Sequence, residues 1–101
     1  MMEKNLQKTY EQKMAFNEGV INYLKASKNN KYSESVFNNI LSLIHRDNYL
    51  QVLYSYGPIM LSDLMNHFLE VENYEHCSKI RDTVYNHNKA TGEQIKLDIN
   101  D

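Results

Sequence analysis

Only one proline and three glycines interrupt 101 residues, and the proline stands directly after a glycine, as Gly57-Pro58. A β-sandwich or barrel needs turn chemistry every 8–12 residues or so, and this chain does not supply it. Proline breaks a helix interior because it lacks an amide hydrogen and its ring collides with the carbonyl four residues back. The chain is therefore committed to long helices with one enforced interruption at 57–58.

The apolar residues keep helical time on both sides of that interruption. Met2, Leu6, Tyr10 and Met14 recur every four residues, and Val20, Ile21 and Leu24 follow. This spacing predicts a first helix from about Glu3 to Ala26, which the helix cost of Gly19 could kink or break near Asn17–Gly19. Ser33 or Ser35 can cap a second helix, in which Val36, Phe37, Ile40, Leu41 and Ile44 form a broad apolar stripe and Arg46 suits the C-terminal end. Asp47 or Asn48 can cap a third, Tyr49–Tyr56, whose aromatic and β-branched content would also suit a strand but which finds no strand partner elsewhere. A fourth helix is predicted over Ile59–Val71 and a fifth over Tyr74–His87, joined by Glu72-Asn73. So short a link makes the last two a hairpin. The tail after Gly92 alternates Ile95, Leu97 and Ile99 with polar residues, which reads as a flexible or edge-adding segment. The expected fold is all-α: a single domain over 1–101, a small irregular bundle of four or five helices ending in a helical hairpin, with 92–101 as its tail.

At 12.0 kDa there is room for one modest core, which the 42% apolar content can fill. The net charge of −2 argues against a dedicated nucleic-acid binder. Charge is nevertheless uneven. Residues 1–31 hold six Lys against three Glu, whereas residues 70–101 hold seven acids against three Lys and Arg81. Lys4, Lys8, Lys25 and Lys28 could meet a phosphate backbone, or simply solvate a helix face. No stretch reaches the ~18 apolar residues of a membrane span. The first residues lack the apolar core of a secretory signal, and the single Cys77 excludes an intrachain disulfide. A cytoplasmic location is expected. Abundant Asn, Lys, Ile and Tyr with no Trp reads as the codon bias of an AT-rich bacterial, phage or mobile-element genome.

One segment carries a more specific pattern. In Asp63–Val84 an amphipathic helix is followed by the acidic turn Glu72-Asn73, the pair Tyr74-Glu75, the small pair Cys77-Ser78, and Ile80-Arg81-Asp82 with Val84. This resembles the UVR motif, the short helical hairpin of the bacterial excision-repair B and C proteins and of some stress regulators. The match spans about a quarter of the chain. Hairpins of that family pair with one another, so the resemblance implies protein–protein contact. It does not imply repair chemistry, since the chain has no GxxxxGK[ST] phosphate loop. The residues it marks for interaction are Leu64, Phe68, Leu69, Tyr74, Glu75, Ile80, Arg81 and Asp82. From the residues alone, the apolar ones among these serve equally as core or as interface.

Candidate chemistry is thin. Arg81 and His87, six apart, resemble the R-x4–6-H pattern of the all-helical HEPN ribonucleases, in which an Arg and a His would polarise a phosphodiester and move its protons. His67, Glu70, His76, Cys77 and His87 are metal-capable but make no His-Glu-x-x-His and no zinc-finger set; their histidines read as helix-surface residues. Cys77 falls on an apolar face and reads as a small hydrophobe. Eight Tyr against three Phe suits contact surfaces, where a ring buries area and a hydroxyl stays satisfied. The expectation is therefore a small non-enzymatic regulatory or adaptor protein, without cofactor or metal, binding a larger protein or itself through a helical surface. A nucleic-acid-binding or HEPN-like role through Arg81 and His87 is the alternative.

Overall fold

The computed structural model describes residues 2–27 and 32–100, with side chains from Thr9 onward. Four helices make up the described chain: α1 (Met2–Ala26), α2 (Glu34–His45), α3 (Tyr49–Glu70) and α4 (Tyr74–Thr91). They form a small all-α bundle. Its centre is α3, which packs on each of the other three and most extensively on α4.

α3 joins two of the expected helices. Gly57 leaves helical geometry for a single residue, at φ 85° and ψ 177°. Only glycine enters that region without strain. Pro58 then opens the second segment, where its missing amide hydrogen costs nothing. The hydroxyl of Ser62 donates to the Pro58 carbonyl at 2.9 Å. α1, in contrast, runs unbroken through Gly19, so the expected kink is absent. A Cβ at residue 19 would stand 3.4 Å from the His67 ring, an ordinary contact, so the packing there has room for alanine.

The α2–α3 and α3–α4 corners are built alike. Asp47 and Glu72 adopt left-handed backbone, with φ of 55° and 59°. Their amides donate to Ile44 and Leu69 carbonyls, and the next amides, of Asn48 and Asn73, reach back to Leu43 and Phe68. This is a Schellman closure. Each asparagine side chain then caps the following helix, accepting from the Gln51 amide at 3.2 Å and the His76 amide at 3.5 Å. An acid-Asn-Tyr sequence thus ends one helix and starts the next. At α2, Ser33 occupies the cap position, but its hydroxyl pairs with that of Ser35 at 2.9 Å rather than with an amide.

The core is contributed by Val20 and Leu24 of α1, Phe37, Ile40, Leu43 and Ile44 of α2, Tyr49, Val52, Leu53, Met60, Leu61, Leu64, Met65 and Phe68 of α3, and Cys77, Ile80 and Val84 of α4. α1 joins it only from Phe16 onward. Tyr10 and Met14, expected on its apolar stripe, are 65% and 42% exposed, and the other residues from 9 to 15 are exposed as well; Met2 and Leu6 lie outside the described side chains. At the centre, one aromatic cluster draws on all four helices. Phe68 stacks on His76 with ring centroids 4.8 Å apart, Phe16 stacks on Phe68 at 5.6 Å, and His45 lies 5.4 Å from Phe16.

The chain after Gly92 is extended, and Ile95, Leu97 and Ile99 pack partly buried against the core. Its backbone is held by helix side chains. The Asn88 carboxamide donates to the Ile95 carbonyl at 2.9 Å and accepts from the Ile95 amide at 3.1 Å. The Asn66 carboxamide donates to the Asp98 carbonyl at 3.0 Å and accepts from the Asn100 amide at 2.8 Å. The Ser62 hydroxyl accepts from the Asp98 amide at 2.9 Å. The alternation read above as a flexible or edge-adding tail here turns three apolar side chains onto the bundle.

Candidate functional site

Of the residues marked for interaction, Leu64, Phe68 and Ile80 are fully buried and Leu69 is half-buried. The two-helix unit spends its apolar face on this bundle's own core, so these side chains offer a partner no surface while the fold is closed. What the hairpin does present is its outer side, with Tyr74, Glu75, Arg81 and Asp82.

Those residues fall into a pattern. On a helix of 3.6 residues per turn, positions 74, 78, 81 and 85 lie within roughly 60° of one another. Tyr74 and Tyr85 are 60% and 63% exposed, and the Arg81 guanidinium between them lies 3.5 Å from the Ser78 hydroxyl and 3.9 Å from a carboxylate oxygen of Asp82. Tyr–Arg–Tyr is thus a solvent-facing ridge, flanked by the carboxylates of Glu75 and Asp82. Tyr85 was not among the residues the motif marked; the seven-plus-four spacing from Tyr74 through Arg81 was the signal that would have included it.

Arg81 and His87 are not brought together. Six residues along a helix leave side chains about 120° apart. Arg81 is exposed, while His87 is buried with its Nδ1 3.2 Å from the Tyr54 hydroxyl and its Nε2 3.7 Å from a Glu93 carboxylate oxygen. His87 forms the base of a shallow cavity of about 280 Å3 between α3 and α4, rimmed by Leu50, Tyr54, Asn86 and Ala90.

The histidines expected on helix surfaces lie instead in or against the core. His67 is buried beside Tyr23, ring centroids 5.2 Å apart, and His76 is half-buried against Phe68. Burial lowers the pKa of both below the ordinary histidine value, and does the same for His45, where Lys13 adds to the effect. The Tyr49 hydroxyl lies 2.6 Å from His76 Nδ1. Burial pushes the Tyr49 phenol far above its usual range, so Tyr49 keeps its proton and shares a hydrogen bond with the His76 ring. Sequence periodicity missed this because histidine has no fixed place on a hydropathy scale, and a neutral ring packs like an aromatic.

Among the described residues no three His, Cys, Asp or Glu side chains are placed to hold a metal ion. Cys77 is buried, and burial raises its thiol pKa, away from the reactive thiolate. Lys25 is exposed near the end of α1; the side chains of Lys4, Lys8 and Lys28, with which it was expected to form a stripe, lie outside the described residues. No described helix is long and apolar enough to cross a membrane. No family model, no curated protein and no solved structure matches the chain.

Proposed function

We propose that this protein is a small non-enzymatic adaptor or regulator that acts by protein–protein contact through the outer side of the α3–α4 hairpin. The observation that carries the reading is the Tyr74–Arg81–Tyr85 ridge. Tyr and Arg are the residue types that concentrate binding energy in interfaces, since each combines broad contact area with a directional polar group. Here they stand in register on a helix whose other side is anchored in the core by Ile80 and Val84. The ridge is thus presented without the entropy cost of ordering a loop. Glu75 and Asp82 beside it favour a partner, a larger protein or a second copy of the chain, with a complementary basic rim. The resemblance of residues 63–84 to hairpins that pair with one another supports the same reading.

The test places a photo-crosslinking aromatic residue at position 85 of the full chain in the source cell. A discrete protein adduct is expected, and it should disappear when Tyr74→Ala and Arg81→Ala are added, with the far-UV circular dichroism unchanged. Adducts that are diffuse, or indifferent to those two changes, would refute the ridge as the contact surface.

A further inference from the structure

The five hydrogen bonds that hold residues 95–100 share one property: each runs from a side chain of α3 or α4 to the main chain of the tail. A carboxamide offers one donor and one acceptor side by side, as a peptide unit does. Asn66 and Asn88 use both halves on an extended strand, and Ser62 adds a further acceptor. Recognition of this kind reads extended backbone, and the partly buried Ile95, Leu97 and Ile99 add only a preference for apolar residues at alternate positions. The groove is also wider than its occupant. Beside the tail lies a cavity of about 510 Å3, lined by Tyr23, Ser27, Ile59 and Asp63 and closed on one side by Asp98 and Asn100. Ile59, at its edge, is left 58% exposed.

From this geometry we propose that the face carrying Ser62, Asn66 and Asn88 is a recognition groove for an extended segment of another protein with apolar residues at alternate positions, and that residues 95–100 are its built-in competitor. The groove uses residues that the Tyr74–Arg81–Tyr85 ridge does not, and goes beyond that surface. The tail's own fit defines the partner's chemistry: an apolar residue, a polar one, and so on for five or six residues, with main-chain groups toward Asn88 at the first residue and toward Ser62 and Asn66 at the fourth and sixth. The fourth and sixth positions, Asp98 and Asn100 in the tail, border the open cavity beside Ile59, so a longer side chain there would reach into it. Because the tail is tethered by only two or three residues beyond Gly92, it competes at an effective concentration of roughly millimolar. The partner segment therefore binds weakly until the tail is released.

The experiment titrates unlabelled peptide of residues 92–101 into isotope-labelled full chain, followed by amide resonances. The amides of Ile95, Asp98 and Asn100 should shift toward free positions as the peptide takes their place, while those of Leu64 and Ile80 hold. In the full-length variant Ile95→Asn with Ile99→Asn, the peptide should bind about tenfold or more tightly than to the wild type, and adding Asn66→Ala should remove that gain. If the variant does not fold, the wild-type titration decides alone. Tail amides unmoved up to millimolar peptide would overturn the proposal, as would equal binding of a peptide with its three apolar residues made consecutive. A concentration-dependent dimer whose tail amides stay protected would also overturn it, in favour of tail exchange between copies.

Discussion

Gly57→Ala tests the bend that shapes the central helix, and it tests it cleanly. An added Cβ would meet nothing within 4 Å, so no steric cost from packing enters. The whole effect comes from the backbone, which sits at φ 85° and ψ 177°, where a residue with a Cβ is strained by about 1–3 kcal/mol. The helix cannot escape by straightening, because Pro58 in a continuous helix would collide with the carbonyl of Tyr54. For a chain of this size the loss corresponds to a fall in Tm on the order of 10 °C. Gly19→Ala is the matched control. The same methyl group goes into a regular helix, where it contributes up to about 1 kcal/mol, and it meets the His67 ring at 3.4 Å, an ordinary contact. Thermal melts by circular dichroism should move in opposite directions, down for Gly57→Ala and level or up for Gly19→Ala. If both variants melt at the wild-type temperature, the bend is not held by the geometry described, and the argument fails.

Three further outcomes are expected. Glu72→Gly relieves a left-handed residue on the surface and should raise stability by about 0.5–1 kcal/mol in a denaturant titration; a loss would mean that the carboxylate has a role beyond the turn. Ile80→Asp puts a charge into a fully buried site and should abolish cooperative unfolding, whereas Leu69→Asp, at a half-buried site, should leave a folded protein with a lower midpoint; the reverse order would place the core elsewhere. Stability should fall on acidification below about pH 6.5. The pKa values of His45, His67 and His76 are lowered by burial, so these residues are neutral in the fold and take up protons on unfolding. Their contribution is complete above the unfolded value and is lost as pH falls through the depressed folded values. Melts from pH 7.5 to 5 should show the decline, and a flat profile would refute the buried neutral state.

The fold class was legible because it rests on local signals. The 3.6-residue stripe of α2 named most of its buried residues, and Asp47-Asn48 and Glu72-Asn73 marked the two corners through their chemistry alone. Where the reading slipped, a non-local partner decided. Gly19 suggests a kink or a break because its helix cost is local; α1 runs through it unbroken because Val20 and Leu24, just beyond it, are anchored in the core. Tyr10 and Met14 carry a helical stripe, but a stripe states only that a helix has an apolar side. Whether something covers that side depends on the other elements, and here Tyr10 and Met14 stay exposed. The same limit governed Leu64, Phe68 and Ile80: spacing put them on apolar faces, and only the packing of α3 against the other three helices made those faces core.

The tail shows what a usable signal would have been. Asparagine is a poor helix former because its carboxamide competes for backbone hydrogen bonds, so an asparagine inside an apolar helix needs a reason. Asn66 stands in Leu64-Met65-Asn66-His67-Phe68, only 8% exposed, with Ser62 one turn before it. A polar pair at i and i+4 on the buried side of a helix is costly unless something brings it main-chain partners. The alternating tail supplies them: the Asp98 amide and carbonyl and the Asn100 amide reach Ser62 and Asn66, while Ile95, Leu97 and Ile99 turn onto the core. Each pattern by itself is weak, a stray polar pair and a short alternation near the terminus. Taken together they are complementary, since one lacks what the other exposes, and that complementarity makes the groove readable as a site for extended chain rather than as a defect in the core.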